Sequence, residues 1–220
     1  MIIQPNNCYN IDCVIGMKLM LEQGIKADWC ITDPPYGVQY ARGENGWGYC
    51  NNRPSKEEVA WDKKTPEKEA FDLIREISNS QIIFGGNYFT DKLPPSKCWI
   101  VWDKICGTEN KSVFADCELA WTSLTQVCRL VSFRQMGFIK DTKDKSRIHP
   151  TQKPTELWCK ILSLYTKDGD LILDPFAGSQ SLRIACHKMN RRYIGFEIDK
   201  DYYKKGCQWF ESESRQISFF

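Results

Sequence analysis

Apolar and polar positions follow two different periods along the chain, and the alternation between these periods predicts its secondary structure. Apolar residues recur at helical spacing over 13–23, and an apolar run at 28–32 predicts a strand that ends at two consecutive prolines. Further helices are predicted from Thr65-Pro66-Glu67 onward, over 154–165, over about 181–189 and from Asp199 onward. The other predicted strands are 81–84, 98–102, 117–121, 127–132, 171–174 and 192–197. This order predicts an α/β fold with a mostly parallel, twisted sheet and helices on both faces.

The length of 220 residues and the single series of elements predict one domain. We expect this domain to cover 1–212 and a polar tail to cover 213–220. At the start of the second helix, Thr65 has the character of an N-cap and Pro66 that of a first helical residue. The residues at 38–60 are polar and rich in glycine and asparagine, which predicts a long loop, and loops of this length are usually functional or mobile.

The composition excludes several classes of protein. The chain has 30 Lys and Arg residues against 28 Asp and Glu residues, so it cannot hold nucleic acid by bulk charge alone. It has 11 cysteines but only two histidines and no CxxC pair, which argues against a metal site. The odd cysteine count and the absence of a signal-like N-terminus favour free thiols in a reducing cytoplasm. No apolar run approaches the length of a membrane span.

The C-terminal half carries the pattern of a nucleotide-type site. A buried strand ends in Asp174, a loop of small residues follows at Phe176–Ser179, and a helix begins after it. Such a helix start offers unpaired N–H groups to an anion, and Glu197 at the end of the next strand stands where related folds bind ribose hydroxyls. A full G-x-G-x-x-G is missing, and a plain βαβ unit with a helix cap remains an alternative.

A second candidate site is the run Asp33-Pro34-Pro35-Tyr36, at the end of a strand. A carboxylate, a proline-fixed carbonyl and an aromatic ring together offer two hydrogen-bond acceptors and a stacking face. These groups suit a planar base that carries an amino group. A simple turn after a strand is the alternative.

The order of these motifs resembles the S-adenosylmethionine-dependent DNA amino methyltransferases of the permuted β class, in which a catalytic DPPY motif precedes a cofactor FxGxG motif. Here Asp33–Tyr36 precedes Phe176–Gly178, and the run from His149 to Pro154 resembles the HPTxKP motif between them. Trp61-Asp62-Lys63 resembles the family's WDK, and Tyr9–Cys13 stands where a Gly-Asp-Cys is usual. The resemblance covers about residues 8–212. It implies a Rossmann-like methyltransferase fold with circularly permuted motif order.

The resemblance also implies roles for single residues. Asp33, Pro34, Pro35 and Tyr36 are expected to hold and stack a base that has flipped out of the duplex. The expected S-adenosylmethionine site comprises Asp12, Cys13, Thr151, Lys153, Asp174, Phe176, Gly178, Ser179, Ser181 and Glu197.

Within that cofactor site, Asp12 is expected to face the adenine amino group and Glu197 the ribose hydroxyls. Thr151 and Lys153 are expected to hold the methionine carboxylate. Two positions depart from the family pattern: Gln180 replaces the second motif glycine, and Ile11 replaces the glycine before Asp12.

The chemistry implied is methyl transfer to an exocyclic amino group, because two acceptors on its protons favour a pyramidal nitrogen whose lone pair can attack. N6 of adenine is the expected target in DNA, as in enzymes of restriction–modification systems. N4-cytosine methylation is the alternative, although a serine in place of Asp33 is commoner there. An alternative of another class is a catalytically weak nucleic-acid-binding module that has kept the fold, for which Gln180 is the warning sign.

Contacts with double-stranded DNA must come from local charge. Residues 125–153 contain seven basic and two acidic residues, and target recognition is expected at about 125–147. The DNA-binding candidates are Arg129, Arg134, Lys140, Lys143, Lys145 and Arg147, together with Arg42, Asn45 and Trp47 in the long loop. A solvated basic loop is the alternative. Because this segment is short, we expect relaxed or short-site specificity, or the help of a second subunit in a homodimer.

The C-terminus resembles the short peptides by which bacterial DNA enzymes bind the replication sliding clamp. The residues of this resemblance are Gln216, Ile217, Phe219 and Phe220. An apolar pair at the end of a polar segment favours docking somewhere, and docking on the protein's own core is the alternative.

Overall fold

The computed structural model describes residues 1–38, 64–108, 115–136, 139–140, 142–144, 148–149 and 151–217, with the backbone alone at 136, 139–140 and 216–217. The described residues form the α-helices α1 (Cys13–Glu22), α2 (Lys68–Ile77), α3 (Thr155–Tyr165), α4 (Ser181–Lys188) and α5 (Lys200–Ile217). Ten strands are β1 (Asn7–Tyr9), β2 (Ala27–Thr32), β3 (Ser78–Phe84), β4 (Trp99–Asp103), β5 (Cys117–Thr122), β6 (Arg129–Ser132), β7 (Gln135–Met136), β8 (Ile139–Lys140), β9 (Leu171–Asp174) and β10 (Arg192–Phe196).

Eight strands form one sheet in the order β1-β10-β9-β2-β3-β5-β4-β6, and β7 and β8 form a separate antiparallel pair. Within the eight-stranded sheet every pairing is parallel except those of β5, which runs against both β3 and β4. The prediction of a mostly parallel α/β sheet is therefore confirmed.

Two apolar cores lie on opposite faces of the sheet, because successive residues of a strand point to opposite sides. In β9, Leu171 and Leu173 belong to the first core and Ile172 to the second. Buried residues of α1 and α2 pack in the first core, and those of α3 and α4 pack in the second. The prediction of helices on both faces of the sheet is therefore confirmed. The helices cover the faces, so a ligand-binding site belongs at the ends of the strands.

The predicted start of α2 is wrong. The helix begins at Lys68, and Glu67 occupies the N-cap position without a side-chain cap. The hydroxyl of Thr65 instead accepts a hydrogen bond of 2.5 Å from Nζ of Lys92, which also donates to the Pro66 carbonyl at 2.8 Å. A tertiary hydrogen bond thus engages the Thr65 side chain, which the local pattern predicted to cap the helix.

Other boundaries differ where the local pattern was weak. Strand β3 begins at Ser78, before the apolar run, and β1 is a three-residue strand without a sequence signal. The β7–β8 pair lies within the basic segment at 125–147, where no strand beyond 132 is predicted. Helix α5 continues across the expected boundary at 212 to Ile217, so the first residues of the expected tail are helical.

Ten cysteines lie in the described part of the chain, and no disulfide joins any two of them. No helix among the described residues is long and apolar enough to cross a membrane. The same residues contain no group of three or more His, Cys, Asp or Glu side chains arranged to hold a metal ion.

Candidate active site

The carboxyl ends of three adjacent parallel strands place the two sequence motifs side by side. Strand β2 ends before Asp33, β9 ends in Asp174, and β10 ends before Glu197. Since β2 pairs with β9 and β9 with β10, these acidic side chains meet at one edge of the sheet. In parallel sheets of this kind that edge is where ligands bind.

A cavity of about 720 Å³ opens at this edge. Its lining includes all fourteen residues predicted to be catalytic or to bind the cofactor: Asp12, Cys13, Asp33, Pro34, Pro35, Tyr36, Thr151, Lys153, Asp174, Phe176, Gly178, Ser179, Ser181 and Glu197. The sequence analysis missed further lining residues, among them Tyr88, Lys104, Glu118, Gln135, His149 and Tyr202. The amide Oε1 of Gln135 is buried there without a hydrogen-bond partner among the described residues.

A network of charged and hydroxyl groups forms the catalytic end of the cavity. The Tyr36 hydroxyl donates to Oδ1 of Asp33 at 2.6 Å. The ammonium of Lys153 pairs with Oδ2 of Asp33, lies 3.2 Å from Oε2 of Glu118 and donates to the Tyr36 hydroxyl at 3.2 Å. Lys104 pairs with the other oxygen of Glu118 at 3.0 Å. The strand β5 residue Glu118 thus completes a site that the DPPY motif begins.

The two carboxylates of this network differ in their electrostatics. Burial raises the pKa of Asp33, and Lys153 opposes that rise. Burial also works against the charge of Glu118, but Lys153 and Lys104 outweigh it and lower the pKa of Glu118 to about 2. The pKa of Lys153 is raised, because the attraction of Asp33 and Glu118 outweighs the effect of burial. Glu118 is therefore a fixed negative charge, and Asp33 is the carboxylate whose protonation responds to its surroundings.

The ring of Tyr36 is held by a close approach of the backbone after β3. A Cβ on Gly85 would lie 2.0 Å from Cε1 of Tyr36, so only glycine fits at this position. Tyr88, in the short 3₁₀ turn that follows, stacks on Tyr36 with ring centroids 4.8 Å apart. Tyr88 is 45% exposed, so the cavity presents a second aromatic ring beside the motif tyrosine.

Glu197 ties the end of β10 to the loop after β9. Its Oε2 accepts from the Gly178 backbone N–H at 2.7 Å, and its Oε1 accepts from the Asp199 N–H at 2.8 Å. Each carboxylate oxygen has a second lone pair and can accept one more donor. The carboxylate can therefore hold the loop and still bind hydroxyl groups in the cavity.

Asp174 is buried beneath the same loop. It accepts from the Thr32 hydroxyl at 2.7 Å, from the Tyr193 hydroxyl at 3.3 Å and from the Phe176 N–H at 3.4 Å. Burial raises its pKa to about 7, although these hydrogen bonds oppose the rise. Its contacts connect the loop to the two strands beside β9.

Asp12 also lines the cavity and caps α1. Its Oδ1 accepts from the backbone N–H groups of Val14 and Ile15 at 2.9 and 3.3 Å. Capping engages one carboxylate oxygen. Burial raises the pKa of the neighbouring Cys13 thiol to about 12, so this residue offers a neutral, apolar contact.

Gln180 adopts the left-handed backbone conformation (φ +62°) that favours the glycine usual at this motif position. It does not line the cavity; its side chain is fully buried toward α5. The amide donates to the Tyr203 carbonyl at 3.0 Å and accepts from Arg183 at 2.9 Å. The Gln180 side chain thus points away from the cavity and does not narrow the cofactor loop.

The segment before α3 brings His149, Thr151 and Lys153 to the cavity. The His149 ring lies against Tyr202 with centroids 4.4 Å apart, and a Cβ on Gly178 would be 3.8 Å from it. The Thr151 hydroxyl lies 3.1 Å from Nδ1 of His149. Thr151 is exposed at the rim, whereas the Lys153 ammonium lies in the Asp33–Glu118 network.

Of the DNA-binding candidates, the three whose side chains the structure describes, Arg129, Arg134 and Lys143, lie outside the cavity lining. Arg129 and Lys143 are exposed, Arg134 is half-buried, and Lys140 is described by its backbone alone. Arg42, Asn45, Trp47, Lys145 and Arg147 lie outside the described residues, as do Pro150 and the Trp61-Asp62-Lys63 motif.

Comparison with known proteins identifies the family. Residues 51–207 match the family model of N6- and N4-methyltransferases described as DNA methylase. The type II methyltransferase M.HpaI of Haemophilus parainfluenzae is 40% identical over 65 residues, which cover 30% of this chain and 21% of that protein. The DNA adenine methyltransferase YhdJ of Escherichia coli is 41% identical over 65 residues, which cover 30% of this chain and 22% of that protein.

Solved structures show the same fold. An M1.HpyAVI–SAM complex superposes with a TM-score of 0.60 at 24% identity and covers 92% of this chain and 98% of that one. The cytosine-N4-specific PvuII DNA methyltransferase superposes with a TM-score of 0.58 at 12% identity and covers 98% and 93%.

The chain belongs to the DNA methylase family, because the family model covers more than half of its residues. The expected methyltransferase fold is confirmed. In both sequence alignments the chain spans only about a fifth of the curated relative's length.

Proposed function

We propose that the protein transfers a methyl group from S-adenosylmethionine to N6 of an adenine flipped out of double-stranded DNA. The observation that carries the proposal is that the Asp33–Tyr36 motif, the Phe176–Ser181 loop and Glu197 line one and the same cavity. A base pocket and a cofactor pocket must adjoin for direct transfer, and this cavity joins both sets of residues.

The residues of the cofactor side fit S-adenosylmethionine. A cavity of about 720 Å³ lies within the usual range of roughly 300–1,000 Å³ for small-molecule sites. Glu197 can accept from ribose hydroxyls, and Asp12 retains an oxygen for an adenine amino group. Phe176, Gly178, Ser179 and Ser181 form the wall on which the methionine part would lie. When bound, S-adenosylmethionine supplies an electrophilic sulfonium methyl group.

The catalytic end suits an exocyclic amine. The Asp33 carboxylate and the Pro34 carbonyl accept the two amino protons, so that the nitrogen lone pair can point toward the methyl donor. Each Asp33 oxygen already has one partner and retains capacity for another. Tyr36 offers a stacking face and favours the cation that develops at nitrogen. Pro35 keeps the motif backbone rigid.

Adenine is the proposed base because the motif begins with Asp33, where cytosine-N4 enzymes more often have serine. Cytosine, methylated at N4, remains the second candidate, since the cytosine-N4-specific PvuII enzyme shares the fold. The DNA contacts are proposed at Arg129, Arg134 and Lys143, whose charges lie outside the cavity and can reach phosphates.

The test combines cofactor binding with methyl transfer. Calorimetry with S-adenosylmethionine and transfer of labelled methyl groups to DNA are measured for the wild type and for Asp33→Ala. We expect both proteins to bind the cofactor and only the wild type to methylate DNA. Unchanged transfer by Asp33→Ala would refute the mechanism, and cofactor binding without any transfer by the wild type would favour a nucleic-acid-binding module.

The proposal also includes two protein partners, a sliding clamp and a second copy of this chain. The C-terminal segment with Gln216, Ile217, Phe219 and Phe220 is proposed to bind a sliding clamp, and a second subunit is proposed to extend the DNA contacts. Deletion of 216–220 should abolish clamp binding and leave methylation of short oligonucleotides intact. A cytoplasmic location is part of the same proposal, supported by the lack of a disulfide between any two of the described cysteines.

A further inference from the structure

Lys153 has no proton left for a ligand. Its side chain is only 5% exposed, and an ammonium carries three protons. Asp33, Glu118 and the Tyr36 hydroxyl are the three acceptors around it. Nζ also lies 4.8 Å from the centroid of the Phe84 ring, so it is enclosed by an aromatic side chain as well.

The position of Lys153 matters for Asp33, because a buried carboxylate without a cation takes up a proton. A protonated Asp33 would lose the acceptor that the target amino group needs. The lysine stem is flexible, so the ammonium needs a second anchor to stay on Asp33 when a ligand's negative charge arrives. Glu118 is that anchor, and it is itself held by Lys104 at 3.0 Å.

We propose that Lys153 is a positioning residue for Asp33, which fixes the charge and the orientation of that carboxylate for the target base, and that Glu118 fixes Lys153 in turn. This inference rests on the proposed methyl transfer. It assigns Lys153 to the base side of the cavity, in place of the methionine carboxylate to which the motif resemblance assigned it.

The first experiment separates the two roles of Lys153 by ligand. Binding of S-adenosylmethionine and of 5′-methylthioadenosine, which lacks the carboxylate, is measured by calorimetry for the wild type and for Lys153→Met. We expect both dissociation constants to stay within about threefold, while kcat falls about 100-fold. A loss of tenfold or more for S-adenosylmethionine alone would overturn the inference and place Lys153 on the cofactor.

The second experiment uses the pH dependence of kcat at saturating cofactor and DNA. Among the described residues, the charged and titratable groups that face Asp33 are Lys153, Glu118, Tyr36 and Asp174. Removing the cation in Lys153→Met should move the acidic limb of the profile to higher pH by about one unit. In Glu118→Gln the amide oxygen can still accept from Lys153 and keep it on Asp33, so removing the anion should move the limb to lower pH. A merely structural role predicts lower activity without these opposite shifts, and that result would contradict the proposal.

The controls address folding and the proposed function. Nζ of Lys188 and Oε2 of Glu213 form an ion pair at a distance of 2.8 Å, and neither residue lines the cavity. Lys188→Met and Glu213→Gln should therefore change neither kcat nor the acidic limb of the pH profile. If Lys153→Met does not fold, Glu118→Gln still tests the shift, and Lys153→Arg should recover part of the activity because it keeps the charge. An inactive wild type would refute the proposed function, whereas an active wild type with equally active Lys153→Met would refute only this inference.

Discussion

The Thr32 hydroxyl donates a hydrogen bond of 2.7 Å to Oδ1 of Asp174, across 142 positions of the chain. Thr32 is the residue before the catalytic motif, and Asp174 ends the strand before the cofactor loop. The bond therefore joins the two halves of the cavity at their base. A change in either strand end would be felt in both halves.

Asp174 should make stability depend on pH. Its pKa is raised from 3.8 to about 7 by burial, so the folded state holds a proton that the unfolded state releases between these values. The contribution of Asp174 to the free energy of unfolding is thus greatest below pH 4 and is lost as the pH rises toward 7. Asp174→Asn should therefore gain roughly 2–3 kcal/mol over the wild type between pH 5 and pH 8.

The measurement is urea unfolding of both proteins at the two pH values. An equal difference between the proteins at pH 5 and pH 8 would contradict the account of Asp174.

Gly85 should be essential for the catalytic tyrosine. A Cβ at Gly85 would meet the Tyr36 ring at 2.0 Å, so Gly85→Ala should displace the ring and lower kcat about 100-fold. Gly24 has a similar φ of +65° but nothing within 4 Å of a Cβ, so Gly24→Ala carries the same backbone strain without the clash. Steady-state kinetics should show loss of activity in the first variant alone; equal kinetics in both would indicate that the close approach is unimportant.

Glu197 should govern cofactor affinity. In Glu197→Gln the amide keeps one acceptor oxygen and points an NH₂ group at a backbone N–H of Gly178 or Asp199. We expect the dissociation constant for S-adenosylmethionine to rise about tenfold, or about 1.4 kcal/mol. Calorimetry checks this, with Glu213→Gln as the matched control, and an unchanged constant would remove Glu197 from the cofactor site.

The basic residues should contribute to DNA affinity through phosphates. Arg129→Ala and Lys143→Ala should each weaken binding on any sequence and reduce the salt dependence of log K by about one unit of slope. Fluorescence anisotropy at several salt concentrations measures this slope. Lys188→Ala, which removes an equal charge elsewhere, should leave the slope unchanged if the DNA surface is where we propose it.

The sequence predicted the sheet, the helices and the two motif loops because hydrophobic period and motif order are local properties. Glu118 could not be found in this way, since it lies mid-chain on the antiparallel strand β5 and is linked to Asp33 through the side chains of Lys153 and Tyr36. Gln180 stands out in the sequence as a departure from the motif glycine, but the pattern does not show that its side chain points away from the cavity. The local pattern predicts that Thr65 caps α2, because its actual partner Lys92 lies 27 residues away and leaves no local signal in the sequence.

The most direct test of the central claim is the identity of the methylated nucleoside. Duplex DNA is incubated with the purified protein and S-adenosylmethionine, digested to nucleosides and analysed by mass spectrometry. The account predicts N6-methyladenine with the wild type and none with Asp33→Ala. Methylated cytosine in place of methyladenine, or N6-methyladenine formed equally well by Asp33→Ala, would contradict it.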